Sequence, residues 1–198
     1  MFNSQILQKD KPQTILLLHG LYASAGFWLP ILRCLPRHRL ILLNINYDLF
    51  FASKNGFADL SEYLRRPSLN LTDCISIIGH SLGCVLAALL ELQVARRFHL
   101  APVFLAEDAD LIGLQVEISK RLGSFTSPPN VNHSQLSHAL RVAKSVDVEA
   151  ITERGDCLLI PDSDRFFFYR TPPVGANWST YSGGHFDVSA ALVNTLNL

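Results

Sequence analysis

Short runs of apolar residues recur along the chain, and polar or amphipathic stretches separate them. Each run is four to six residues long and almost continuously apolar. This pattern is typical of a strand that is buried on both faces of a sheet. It predicts buried strands at 14–18, 40–45, 74–78, 102–106 and 157–160, and a shorter last strand at 177–181.

The stretches between these runs carry helical periodicity or turn residues. We expect a loop at 46–55, and a helix after residue 81 that ends near Arg96 and Arg97, where positive charge suits a helix C-terminus. Strands that alternate with helices predict an α/β fold, with a mainly parallel sheet, helices on both faces and one domain over 1–198. The other predicted helices are 26–35, 56–66, 108–122, 133–146 and a C-terminal helix to about 196.

The third apolar run leads directly into Gly79-His80-Ser81-Leu82-Gly83, and a second apolar stretch follows at once. This order predicts a strand, a very tight turn and a helix. Glycine two residues before and two residues after the serine removes Cβ atoms that would clash in such a turn. We therefore interpret Ser81 as a nucleophile at the carboxyl edge of the sheet.

A serine nucleophile needs a base, and the base needs an acid that orients it. Asp164 and His185 follow Ser81 in the required order, each shortly after a predicted strand. Asp162 is a rival for the acid, and both aspartates together could also form a solvated turn. The sequence predicts a catalytic triad of Ser81, Asp164 and His185.

The oxyanion formed during such a reaction needs two backbone N–H donors. The first belongs to Leu82, the residue after the nucleophile, and the second is expected from Leu21, in the loop after the first buried strand. We expect His19 to be a structural hydrogen-bonding residue and His80 to pack inside the turn.

The amino-acid composition narrows the class of protein further. Hydrophobic residues make up 48% of the chain and charged residues 17%, which favours a globular protein with a sizeable core. The net charge is zero, so nothing general favours nucleic-acid binding. The four cysteines form no C-x-x-C pair, so we expect neither a zinc site nor a disulfide.

The sequence also shows no recognisable targeting segment and no metal-ligand spacing. No signal peptide and no apolar run of membrane-spanning length is evident, so we expect a cytoplasmic protein without a membrane span. His133 and His138 do not have zinc-ligand spacing and are expected at the surface. We expect no metal, no organic cofactor and a monomeric protein.

Taken together, the motifs resemble those of the α/β-hydrolase superfamily of serine hydrolases, over nearly the whole chain. The resemblance rests on His19-Gly20, the 79–83 motif, Pro161-Asp162-Ser163-Asp164 and Gly183-Gly184-His185-Phe186. It implies hydrolysis through an acyl-enzyme. In this chain Pro161 stands where the family usually has glycine in the acid loop. About thirteen residues precede the first buried strand, so the family's N-terminal antiparallel strands are missing or reduced, and the family's lid is expected to be a small helical insertion at 107–155.

The substrate is less well defined by the sequence. Aromatic side chains of Tyr22, Trp28 and Phe125 could line an acyl pocket, although ordinary core and loop packing is the simpler explanation for each of them. Several features resemble esterases that demethylate pimeloyl-carrier-protein methyl ester in biotin synthesis, and this resemblance assigns Arg121 and Arg141, with Lys120 and Lys144, to an acidic acyl-carrier protein. An acyl thioesterase, a general carboxylesterase or lipase-like enzyme, and a non-catalytic binding module remain alternatives.

Overall fold

The fold is built on a seven-stranded sheet, seen here in a computed structural model that describes residues 1–71, 75–122 and 133–195. Its strand order is β1-β3-β2-β4-β5-β7-β9. Strand β1 is antiparallel to β3, and all later neighbours in this sheet are parallel. The strands are β1 (Phe2–Leu7), β2 (Gln13–Leu18), β3 (His38–Ile45), β4 (Ile75–His80), β5 (Arg96–Leu100), β7 (Cys157–Pro161) and β9 (Asn177–Tyr181).

A separate pair of short strands forms a second, antiparallel sheet. Strand β6 (Ala106–Ala109) pairs with β8 (Phe167–Tyr169), and we refer to this pair as the β6–β8 ribbon. The α-helices are α1 (Tyr47–Ala52), α2 (Gly56–Leu64), α3 (Leu82–Leu89), α4 (Leu111–Leu122), α5 (His133–Lys144), α6 (Val148–Glu153) and α7 (Val188–Thr195). Three 3₁₀ helices occupy Ala25–Cys34, Pro67–Leu69 and Val103–Leu105.

The two faces of the sheet carry separate apolar cores. On β2, Ile15 and Leu17 face a layer made by the 3₁₀ helix Ala25–Cys34 and α7. Leu16 and Leu18 face the opposite layer, which contains α2, α3 and part of α5. Alternate residues of one apolar run thus enter opposite cores, as a strand period of two requires. The predicted α/β-hydrolase architecture, with helices on both faces, is confirmed.

Two predicted elements are wrong in position. The fourth parallel strand is Arg96–Leu100 and not 102–106, because α3 already ends at Leu89. Residues 103–105 form a 3₁₀ helix instead. The Arg97 side chain does meet the end of α3, where it donates to the carbonyls of Ala87, Leu90 and Leu92, but it does so from the next strand.

Two further expectations need refinement. The loop expected at 46–55 contains α1, which begins because Asn46 accepts a hydrogen bond from the Leu49 amide at 3.1 Å. At the N-terminus the antiparallel part is reduced to the single strand β1. No helix within the described ranges is both long and apolar enough to cross a membrane.

Candidate active site

Ser81 lies between β4 and α3, in a backbone conformation that is unusual for a residue with a side chain. Its φ is 54° and its ψ is −117°. The Ser81 amide donates to the Leu100 carbonyl at 2.9 Å, and the Ser81 carbonyl accepts from the Cys84 amide at 3.0 Å. These bonds hold the sharp turn that carries the serine from strand to helix.

The glycines of this turn allow three backbone segments to meet. A Cβ atom on Gly79 would lie 2.6 Å from the Gly83 carbonyl oxygen, and one on Gly83 would overlap the Leu18 carbonyl oxygen. A Cβ atom on Gly20 would lie 2.9 Å from the Cβ atom of Ser81. The steric reason predicted for the two motif glycines is therefore present, and Gly20 brings the loop after β2 against the serine.

His185 and Asp164 form a buried pair. The imidazole Nδ1 lies 2.8 Å from Asp164 Oδ2, and both side chains are 1% exposed. Because an ionised carboxylate only accepts, Nδ1 carries the hydrogen. The opposite ring nitrogen, Nε2, then has a free lone pair that can accept a proton.

The charge of Asp164 is stabilised by its neighbours. Burial alone would raise the pKa of this carboxyl, but hydrogen bonds from His185 and Tyr169 and from the Phe166 amide outweigh burial and hold its pKa below the ordinary value. Asp164 therefore stays ionised and can orient an imidazole.

Asp162 has a different position. It is exposed, and its Oδ1 accepts from Ser163 Oγ at 2.6 Å and from the Gly183 amide at 3.1 Å. Asp162 thus supports the loop that leads to His185, whereas Asp164 contacts the imidazole.

His80 connects the serine turn to the histidine loop. Its Nε2 lies 2.7 Å from the His185 carbonyl oxygen, so this nitrogen donates. The His80 ring stacks on Phe27 and lies 4.9 Å from the His185 ring, measured between centroids. Burial, followed by the nearby His185, holds the pKa of His80 well below its ordinary value, so the ring is neutral. His80 therefore does more than fill the turn, because it anchors the backbone of His185 beside Ser81.

His19 has the structural role that the sequence predicts. Its Nε2 accepts from the Ile45 amide at 3.0 Å, so Nδ1 carries the hydrogen and donates to the Gly20 carbonyl at 2.8 Å. The Tyr47 hydroxyl donates to the His19 carbonyl at 2.6 Å. These bonds fix the loop that contains Leu21.

The amides of Leu21 and Leu82 are available as donors. Among the described residues, no backbone carbonyl or side chain accepts a hydrogen bond from either amide. Leu82 is the first residue of α3, where the helix dipole favours negative charge. Two free N–H groups close to Ser81 can stabilise an oxyanion. Among the described residues, Ser81 Oγ and His185 form no hydrogen bond, and the bond between a nucleophile and its base is often long in the absence of substrate.

The residues expected to bind substrate differ in how exposed they are. Trp28 is fully buried in the core beneath the 3₁₀ helix, so it cannot touch a substrate in this conformation. Tyr22 is half-buried at a φ of 59°, with a hydroxyl that has no partner among the described residues. Arg141 is exposed on α5. Phe125 lies outside the described residues, and for Arg121 only the position at the end of α4 is described.

A cavity of about 460 Å³ opens between the α1–α2 connection and α5. Phe51 and His138 both line it, and their ring centroids lie 5.2 Å apart. Tyr47 stacks on Phe51 and also holds His19, so one hydrogen bond and one ring contact link the cavity to the loop of Leu21. None of the cavity's lining residues belongs to the Ser81, Asp164 and His185 group.

One residue of the site has no signal in the sequence. Tyr169 donates its hydroxyl hydrogen to Asp164 Oδ2 at 2.7 Å. It ends an aromatic run, 166–169, that matches no motif, and only the fold of the β6–β8 ribbon brings it to the carboxylate.

Comparison with solved structures identifies the fold. The chain resembles a lipase-esterase related protein from Clostridium acetobutylicum, with a TM-score of 0.66 and 14% identity, over 98% of this chain and 96% of that one. It is also similar to a hydrolase from Pseudomonas aeruginosa, with a TM-score of 0.62 and 14% identity, over 100% and 94% of the two chains. The surfactin-cyclising thioesterase domain SrfTE gives a TM-score of 0.61 and 14% identity, over 98% and 96%.

Sequence comparison alone gives no relative. No protein-family model matches the chain, and no curated protein matches it significantly. The structural similarity nevertheless extends over nearly the full length of each chain, so the protein has the α/β-hydrolase fold.

Proposed function

We propose that the protein is a serine hydrolase that cleaves carboxylic esters through Ser81, His185 and Asp164. The observation that carries this proposal is the buried Asp164–His185 pair, which the His80–His185 hydrogen bond ties to the strand-to-helix turn that holds Ser81 at positive φ. A fold shared with esterases, lipases and thioesterases supports it, although the fold by itself does not determine activity.

The reaction would begin when His185 Nε2 takes the hydroxyl proton of Ser81 and Oγ attacks the carbonyl carbon of the ester. The amides of Leu21 and Leu82 would hold the oxygen as it becomes negative. When the tetrahedral intermediate collapses, the leaving alcohol takes the proton from His185 and the acyl group stays on Ser81. Water then attacks the acyl-enzyme, gives its proton to His185, and the acid leaves as Ser81 recovers its hydrogen.

The experiment that tests this proposal uses a serine-reactive fluorophosphonate probe. We expect the native protein to be labelled and Ser81→Ala to remain unlabelled. Ser179→Ala is the matched control, because Ser179 is exposed on β9 and has no part in the proposed site. Labelling that persists in Ser81→Ala would assign the nucleophile to another residue, and no labelling of the native protein would favour the non-catalytic binding module.

For the substrate, we propose a pimeloyl-carrier-protein methyl ester, in a monomeric cytoplasmic enzyme with a small lid at 107–155. The exposed Arg141 on α5, which belongs to that segment, supports an acidic partner. A cavity lined in part by aromatic side chains, which Tyr47 links to the loop of Leu21, is suited to an acyl chain.

A substrate panel separates the alternatives. We expect kcat/KM to be higher for a carrier-bound methyl ester than for the same methyl ester without its carrier. Equal values would indicate a general carboxylesterase or lipase-like enzyme. A preference for acyl-CoA over every oxygen ester would indicate a thioesterase.

A further inference from the structure

The Asp164 carboxylate receives more hydrogen bonds than orientation of a histidine requires. Its Oδ1 accepts from the amides of Phe166 and Phe167 at 2.9 and 3.2 Å. Its Oδ2 accepts from His185 Nδ1 at 2.8 Å and from the Tyr169 hydroxyl at 2.7 Å. The mechanism described above uses the His185 bond and gives the tyrosine no role.

The direction of the tyrosine bond is fixed by chemistry. A carboxylate offers only acceptors, so the Tyr169 hydroxyl donates to it. Burial, followed by the charge of Asp164, raises the pKa of Tyr169 well above its ordinary value. The phenol therefore keeps its hydrogen at neutral pH, and its oxygen lies 3.4 Å from His185 Nδ1.

The backbone of Tyr169 is held by the β6–β8 ribbon. Tyr169 pairs with Ala106, and the next amide, that of Arg170, donates to the Leu105 carbonyl at 3.0 Å. At the other end of the ribbon the Asp110 amide donates to the Phe166 carbonyl at 2.7 Å. The hydroxyl thus approaches Asp164 from a fixed strand.

We propose that Tyr169 is a positioning residue that shares Asp164 Oδ2 with His185 and so sets how strongly the carboxylate attracts a proton onto the imidazole. This inference rests on the proposed function. A donor on Oδ2 takes up part of the negative charge that faces Nδ1, which favours the neutral imidazole. Since a general base must be neutral to act, Tyr169 extends activity toward lower pH.

The test compares Tyr169→Phe with Tyr181→Phe by the pH dependence of kcat/KM on a p-nitrophenyl ester. Tyr181 is the matched control, because it is also buried and its hydroxyl has no partner among the described residues. In Tyr169→Phe we expect the acidic limb to move up by about half a pH unit, a roughly threefold loss of rate on that limb, with KM unchanged. Tyr181→Phe should follow the native profile.

A second substitution tests the opposite direction. Replacing Tyr169 by 3-fluorotyrosine keeps the shape of the side chain and makes its hydroxyl a stronger donor, so the acidic limb should move to lower pH. An acidic limb that stays in place in both variants overturns the proposal. A uniform loss of rate at every pH also overturns it, because that result indicates a purely structural role.

Failure of the proposed function can be recognised separately. If fluorophosphonate does not label the native protein through Ser81, the activity is wrong, and the contact is then tested without activity in a Ser81→Ala background. There the His185 ring resonances are followed by NMR through a pH titration. We expect the midpoint in Tyr169→Phe to lie above that of the Tyr169 protein, and equal midpoints would overturn the role of Tyr169 alone.

Discussion

The φ of 54° at Ser81 is a conformation that costs a non-glycine residue about 1–3 kcal/mol. The surrounding turn holds it, because the Ser81 amide is bonded to Leu100 across the sheet and Cys84 Sγ donates to the carbonyls of Gly79 and Leu100. The strain therefore lies at the residue that we propose as the nucleophile. The packing of the folded core stabilises this backbone conformation of Ser81.

The two aspartates of the acid loop give a residue-scale prediction. We expect Asp164→Asn to lower kcat/KM by about 10³- to 10⁴-fold, because an amide can donate to Nδ1 and favour the wrong tautomer of His185. Asp162→Asn should keep most of the activity, since an amide oxygen can still accept from Ser163 and Gly183. Steady-state kinetics on one ester decides between them, and a larger loss in Asp162→Asn would reverse the assignment.

At this scale the sequence predicts the Asp164–His185 contact, but it does not predict the contacts that support this pair. Ser81 can be found because the residues two positions before and after it must be glycines, and His185 because it follows Ser81 and Asp164 in the expected order. The choice of Asp164 over Asp162 has support from spacing alone, and the structure supplies its contact with His185. Tyr169 could not be predicted, since its partner depends on a ribbon formed by residues sixty positions apart.

Helix α3 is the element that joins the serine to the sheet. Seven of its eight residues, Leu82 to Ala88, are buried. Gly83 lies against the end of β2, with no room for a Cβ atom beside the carbonyl oxygens of Leu18 and His19. The helix start, the Leu82 amide and the loop of Leu21 are therefore held in one close contact.

Gly83→Ala is the corresponding element-scale prediction. The clash is with backbone, so it can be relieved only if α3 or β2 moves, and we expect a loss of about 1–3 kcal/mol or more in the free energy of unfolding. Gly26→Ala is the control, because its Cβ atom would meet only Ser24 Oγ at 3.5 Å. Urea unfolding measures both, and a Gly83→Ala variant as stable as Gly26→Ala would contradict the packing argument.

Strand β5 shows why the pattern of apolar residues predicts the fourth parallel strand at the wrong position. Arg96 and Arg97 suit a helix end, and 102–106 is more apolar than 96–100. The chain nevertheless leaves α3 at Leu89 and uses 96–100 as the strand, with Phe98 and Leu100 in one core and His99 facing the other layer. His99 is buried at a position where a strand usually has an aliphatic residue. It interrupts the run of apolar residues, so the hydrophobic pattern does not predict this strand.

The whole molecule buries several imidazoles in neutral form. Burial lowers the pKa of His19, His80 and His99 below the ordinary value of 6.5, and in His99 this outweighs its 3.0 Å bond to Asp156. Arg154 also pairs with Asp156 at 2.8 Å. Because the unfolded chain binds these protons more readily than the folded one, protonation favours unfolding.

These lowered pKa values determine how the free energy of unfolding changes with pH. The stability contributed by a neutral buried histidine is complete above the unfolded pKa and is lost as pH falls below it, by at most about 1.4 kcal/mol per pH unit for each imidazole. Unfolding free energies measured from about pH 7.5 to 5.5 should therefore fall more steeply in the native protein than in His99→Gln. The exposed His138→Gln serves as control, and equal slopes in all three proteins would contradict this account.

The β6–β8 ribbon also determines which segment of this chain can be exchanged for one from another protein without loss of the hydrogen bonds of Asp164. Helices α4, α5 and α6 lie between Asp110 and Asp156 in the chain, whereas the ribbon and Asp164 share one set of hydrogen bonds. An exchange of residues 111–153 leaves every donor of Asp164 in place. An exchange that extends to 106–109 removes the strand that holds those donors. A segment from another protein can therefore be joined immediately after Asp110 without removing a donor of Asp164.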